Sequence, residues 1–153
     1  MRITTVLLLS TLCSVASPAA AQVASPSTLK GDVEVLLSNM VAAFKSDPAT
    51  VARFYTDDAT IIGGGARSVG RDQIDQYWRD ATLFADWKLE VIDVGGDGPT
   101  PWVRGKSTLV GKSGRTMATE FIGLLRRQPD GALKFHVDMF VSALPGMRRP
   151  PDR

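Results

Sequence analysis

Residues Phe54 to Trp78 read FYTDDATIIGGGARSVGRDQIDQYW, and their order decides the fold. The Phe54-Tyr55 pair closes a short helix. Asp57 and Asp58 follow, then the apolar, β-branched run Ala59–Ile62, which reads as a short strand. Gly63-Gly64-Gly65 breaks it, and a helix with Ile74, Tyr77, Trp78 and Ala81 on one face runs from about Arg71 to Phe84.

Upstream, Leu29, Val33, Leu36, Leu37, Met40, Val41 and Phe44 recur at helical spacing, and Ser27 or Thr28 can cap that helix. Asp47-Pro48 restarts the chain as an N-cap with proline at the first helical position, and Val51, Phe54 and Tyr55 form the apolar edge of the short helix that follows. Downstream, the period changes from helical to two. Trp87, Leu89 and Val91 alternate with Lys88 and Glu90, and strands follow over Trp102–Val110, Arg115–Arg126 and Leu133–Ser142. Turns fall at Gly95–Pro101, Gly111–Gly114 and Gln128-Pro129-Asp130-Gly131. Helices gathered at the front and hairpin-linked strands behind them mean α+β. The expected architecture is a cone-shaped, curved antiparallel sheet wrapped by three N-terminal helices, with a central pocket.

Not all 153 residues belong to that domain. Met1–Ala21 has one basic residue, Arg2, an apolar run over Ile3–Leu12 and Ala19-Ala20-Ala21. This is the pattern of a secretory signal peptide cleaved after Ala21. The run is too short for the roughly 20 apolar residues that span a bilayer, so no membrane is expected after cleavage. Leu12 before Cys13 argues against a lipid anchor. The expected product is periplasmic or secreted: a Ser/Pro/Ala linker at 22–28, the domain at 29–143 and a Pro/Arg-rich tail at 144–153. It lacks Cys13, the only cysteine, so no disulfide supports it and the core alone holds the domain together. The formal charge is +2, falling to +1 without Arg2, and the charges are scattered. That excludes nucleic acid as a partner. One histidine and no mature cysteine exclude a structural zinc site. Gly63-Gly64-Gly65 is no phosphate loop, because no lysine-serine pair follows it. No cofactor and no metal are expected.

Phe54-Tyr55-x-Asp57-Asp58-Ala59-Thr60 followed by Gly70-Arg71-Asp72-x-Ile74, at this spacing and in this order of elements, resembles the nuclear transport factor 2-like superfamily, in its SnoaL-like and ketosteroid-isomerase-like branch. Asp130-Gly131…Asp138-Met139-Phe140 looks like its exported members of unassigned function. The resemblance covers roughly 29–143. It implies the cone fold and, for function, only a range: isomerases, cyclases, dehydratases and plain binding or dimerisation modules. In the steroid isomerases the base is an aspartate just after the first strand, where Gly63 stands here. The positions matching their oxyanion-hole tyrosine and acid carry Asn39 and Gly123. Proton abstraction beside a carbonyl needs such a base and donors aimed at the oxyanion, so steroid isomerase activity is rejected.

His136, the only histidine, stands two residues before Asp138, and side chains at i and i+2 of a strand share a face with Phe140. By the resemblance that face lines the pocket, and a carboxylate beside a histidine is a usable acid/base pair. Against catalysis stands a structural pairing of the same two groups. The alternate residues Phe135, Val137, Met139 and Val141 also form an apolar face. Both faces can be buried if the outer one packs in a homodimer. Asp57 and Asp58 read as turn and cap carboxylates. Tyr55, Trp78, Trp102, Thr119, Phe121 and Phe140 are the expected ligand contacts. Three readings are open: a binding protein for a small, mostly apolar ligand; an isomerase, cyclase or dehydratase using His136 and Asp138; and an interaction module with a filled pocket.

Overall fold

A computed structural model describes residues 26–96 and 98–142. The signal segment 1–21, linker residues 22–25 and the tail 144–153 lie outside the described residues. Helix α1 spans Pro26–Ser46 and so begins inside the segment read as linker. A 3-10 helix follows over Pro48–Phe54, then strands β1 (Tyr55–Gly63) and β2 (Ala66–Val69), and helix α2 (Gly70–Arg79). A 3-10 turn at Ala81–Leu83 leads to β3 (Phe84–Gly95), β4 (Trp102–Gly111), β5 (Thr116–Arg127) and β6 (Leu133–Ser142). The chain is α+β with a curved, unclosed six-stranded sheet in the order β2-β1-β6-β5-β4-β3.

Five local readings need correction. The second helix is 3-10, capped by Asp47 accepting from the Ala49 amide. Seven residues opened by proline hold too few α-type bonds for more than tight turns. Tyr55 does not end that helix but opens β1, so its fully buried ring belongs to the sheet. The sheet is mixed, because β1 pairs with β6 in parallel. The third helix stops at Arg79, and Phe84 opens β3. The glycine break hides strand β2: Gly64 and Gly65 have φ of 60° and 82°, the two positive dihedrals a two-residue hairpin demands, and Gly63 pairs with Ala66 across it.

The core lies between the helices and the inner face of the sheet. Helix α1 packs Leu29, Val33, Leu36, Leu37, Met40 and Phe44 inward, chiefly against β3. Along β5, Phe121, Gly123 and Leu125 are buried while Ile122 and Leu124 are exposed, the alternation of a sheet with one face on the core. Aromatic rings on the inner face lie over glycines of neighbouring strands. A Cβ at Gly63 would come within 2.3 Å of the Phe140 ring, one at Gly105 within 2.4 Å of Phe121, and one at Gly123 within 2.3 Å of Phe135. Each glycine lets a ring lie down on the backbone, and the rings become the floor of a concave sheet.

Arg71 explains why the opening stretch marks the fold. Its guanidinium donates to the carbonyls of Ala52 (2.6 Å) and Tyr55 (2.8 Å) and to Asp57 Oδ1 (2.9 Å). One side chain at the start of α2 thereby ties down the end of the 3-10 helix and the start of β1. Its fork of fixed donors suits this role better than a lysine would.

Candidate functional site

Tyr55 stands at the bottom of the cone with no exposed surface. Its ring contacts Phe135 (centroids 5.6 Å apart) and Trp78 (6.2 Å), and its hydroxyl donates to Asp138 Oδ2 at 2.7 Å. Above it opens a cavity of about 320 Å³, bounded by α1, α2 and the inner sheet face. Eight of its nineteen described wall residues are aromatic. Trp78 and Trp87 pack at 5.1 Å, Phe44 meets Trp87 at 5.5 Å, and Phe84, Phe121 and Phe140 complete the surround.

Polar groups in the wall are few, as in most small-molecule sites. Ser107 accepts from Trp87 Nε1 at 2.9 Å. Thr119 and Tyr77 bring hydroxyls. The Trp78 indole nitrogen is buried without a hydrogen bond, although it lies toward the Tyr55 hydroxyl. Among the described residues Asp138 is the only carboxylate in the wall, and none of them brings a lysine, arginine or histidine to it. Its Oδ2 belongs to Tyr55, and among the described residues Oδ1 has no partner.

The electrostatics follow from enclosure. Burial raises the Asp138 carboxyl to about 6, against the smaller opposing pull of the Tyr55 hydroxyl. Burial first, then the Asp138 charge, raises Tyr55 well above the ordinary tyrosine value and Tyr77 to about 12. Both hydroxyls therefore stay protonated near neutrality, while Asp138 exchanges its proton within the physiological range. A carboxyl so placed can bind a cation when ionised, or give and take a proton.

The expected His136–Asp138 pair is split. Along β5–β6, Leu125 faces Phe135 but Leu124 faces Val137, so His136 is an extra residue bulged out of β6. The bulge resets the alternation. Phe135 points inward before it, Asp138 and Phe140 inward after it, and His136 joins the outer face. There Arg126 Nη2 donates to His136 Nε2 at 2.9 Å, which assigns the ring proton to Nδ1. Nδ1 lies 3.2 Å from Thr56 Oγ1 and 3.5 Å from Asp58 Oδ1. Thr56 donates to Asp58 at 2.9 Å and Arg126 at 2.8 Å. These bonds, Thr56's first, hold the exposed Asp58 carboxyl below its ordinary value. Asp57 and Asp58 stand where β1 loses register with β6, between Tyr55 and Thr60, and they diverge, Asp57 to Arg71 and Asp58 to Arg126. Their structural reading agrees with these bonds.

Of the expected ligand contacts, Trp78, Thr119, Phe121 and Phe140 line the cavity. Tyr55 lies behind Asp138 rather than in the wall. Trp102 is away from it, its ring over Gly95 and Gly96 at the far edge of the sheet. Gly63 is occupied by Phe140 and Asn39 faces solvent, so the isomerase-type positions stay without catalytic groups. The carboxyl that the cavity does hold stands on the next strand, at the register position opposite Gly123. Sequence reasoning missed Tyr77 and Phe44 as wall residues and left Trp87 open between the pocket mouth and the sheet edge. Tyr77 could have been found from its hydroxyl on the apolar stripe of α2, whereas Phe44 carries no mark that separates a wall residue from a core one.

Residues 37–136 match the SnoaL-like domain family. No curated protein matches. Among solved structures, a ketosteroid isomerase-like protein from Erwinia carotovora atroseptica is similar at 22% identity, covering 75% of this chain and 96% of that one, with a TM-score of 0.64. An NTF-2 like protein of unknown function from Shewanella oneidensis is 16% identical over 74% of this chain and 99% of its own, TM-score 0.65. A structure from Catenulispora acidiphila in complex with S-DNPA is 13% identical over 76% and 94%, TM-score 0.62. At these identities the likeness is one of fold.

Proposed function

The chain belongs to the SnoaL-like domain family, and from that premise we propose that it is an exported homodimer that binds a small, mostly apolar molecule in the cavity beneath α1 and α2. One observation carries the reading: an open cavity of about 320 Å³, walled by aromatic rings, with a single carboxylate oxygen left unpartnered in it. A filled pocket would have argued for a pure interaction module. Export rests on the Met1–Ala21 pattern. Among the described residues no helix is long and apolar enough to cross a membrane. The homodimer rests on the outer sheet face, where Ile122, Leu124, Met139 and Val141 are exposed side by side.

The test is a thermal-shift screen of chain 22–153 with ring compounds small enough for the cavity, beside a Thr119→Trp variant that fills it. A ligand at about 100 times its Kd stabilises by about 2.7 kcal/mol, and the filled variant should lose that gain. Equal shifts in both proteins would place binding elsewhere and overturn the reading.

A second reading has its own support. The raised Asp138 carboxyl suits proton transfer, with Tyr55 as its positioning group. In this form the isomerase, cyclase or dehydratase alternative uses Asp138 without His136. Its mark would be turnover rising with pH through about 6 and abolished in Asp138→Asn.

A further inference from the structure

We propose that the ligand is an organic cation, a protonated or quaternary amine on an apolar body, whose charge sits between the aromatic wall and Oδ1 of Asp138. The proposal rests on the binding reading and deepens it. An ionised carboxylate away from water is costly unless paired, and in proteins the usual partner is a lysine, an arginine or a metal. Among the described residues the wall supplies no cationic side chain. The Tyr55 hydroxyl satisfies one oxygen and, among the described residues, leaves the other without a partner in a residue that lines the cavity.

The rings sharpen the argument. Aromatic faces carry negative potential, so they oppose an anion placed against them and attract a cation. Trp78, Trp87, Phe44 and Phe121 surround the space that Oδ1 faces. A cation in that space gains from the carboxylate and from the rings together. A neutral molecule gains only from desolvation, and an anion loses on both counts.

Titratable groups near Asp138 leave this balance intact. Tyr55 on β1 and Tyr77 on α2 face it and remain neutral. Opposite it on β5 stands Gly123. On its own strand, His136 is turned to the outer face and engaged there by Arg126.

The experiment uses chain 22–153 with two probes of one shape, benzyltrimethylammonium and its neutral carbon isostere neopentylbenzene, followed by tryptophan fluorescence and calorimetry. At pH 7.5 the ammonium should bind at least about tenfold tighter than the isostere, as expected for a charge paired with a carboxylate and rings. At pH 5, where Asp138 is largely protonated, the ratio should fall to the part that the rings alone supply. Asp138→Asn should hold it at that lower value at both pH values. Equal affinities at pH 7.5, or a preference that neither pH 5 nor the substitution lowers, would overturn the cation proposal while leaving small-molecule binding in place. Failure of both probes to bind would overturn both readings.

Discussion

Replacing Asp138 with asparagine should stabilise the ligand-free protein at neutral pH and leave it unchanged in acid. The carboxyl ionises near the ordinary aspartate value in the unfolded chain and at about 6 in the folded one. Between those values the folded state keeps a proton that the unfolded state has lost. Stability therefore falls as pH rises from about 4 to about 6 and levels off above. At about 1.4 kcal/mol per pH unit, ionised Asp138 costs the empty protein about 3 kcal/mol at pH 7. That figure is an upper value. Asp138 is surrounded by protein but only half-buried by surface, because Oδ1 faces the cavity and water there recovers part of the cost. Asparagine keeps an oxygen for the Tyr55 hydroxyl and removes the charge. Urea denaturation at intervals from pH 4 to pH 8 reads the effect directly, with the denaturant slope expected to be the same in both proteins. The expected result is no difference at pH 4 and a gain for the variant that grows with pH to at most about 3 kcal/mol by pH 7.5, or up to on the order of 10 °C in Tm. A variant less stable than wild type at pH 7.5, or a difference that does not change with pH, would refute the reasoning.

Tyr55→Phe removes the donor to Asp138 and should cost about 1.5–3 kcal/mol, the range for a hydrogen bond to a charged group. It should also move the Asp138 carboxyl above about 6, as read by carboxyl carbon NMR across a pH series. Gly123→Ala and Gly31→Ala should have opposite signs in chemical denaturation. A methyl at Gly123 meets buried Phe135 at 2.3 Å and Val103 at 3.1 Å and should cost about 1–3 kcal/mol. At Gly31, inside α1 with open space around it, alanine should gain about 0.5–1 kcal/mol. Ile122→Lys, opposite Met139 on the outer face, should convert a dimer to a monomer in sedimentation equilibrium. A wild-type monomer at high concentration would sink the dimer reading.

The fold was legible because its determinants are local and periodic. The α1 stripe, the alternation of β4 and β5 and the turns between strands are each carried by neighbouring residues, and they place β4, β5 and β6 within a residue. What escaped was decided at longer range. Tyr55 reads as the next apolar position of a helix, and only the parallel pairing with β6, eighty residues away, makes it a strand residue. Strand β2 has no apolar alternation at all. It exists because the two glycines turn the chain back onto β1.

The site was half legible for a more specific reason. Period-two reasoning assumes an unbroken strand, and the extra residue in β6 is His136 itself, the residue whose side was in question. No side chain announces a bulge of this kind. Yet the bulge explains the two apolar faces of β6 that made the strand hard to assign. Phe135 lies inside before it, and Val137, Met139 and Val141 lie outside after it, so one alternating series changes faces midway. The same shift brings Asp138 and Phe140 into the cavity and sends the imidazole to Arg126 and Asp58. Acid/base chemistry by a histidine–aspartate pair is thus removed by a single inserted residue. That insertion leaves Asp138 among aromatic rings, the arrangement on which the organic-cation proposal rests.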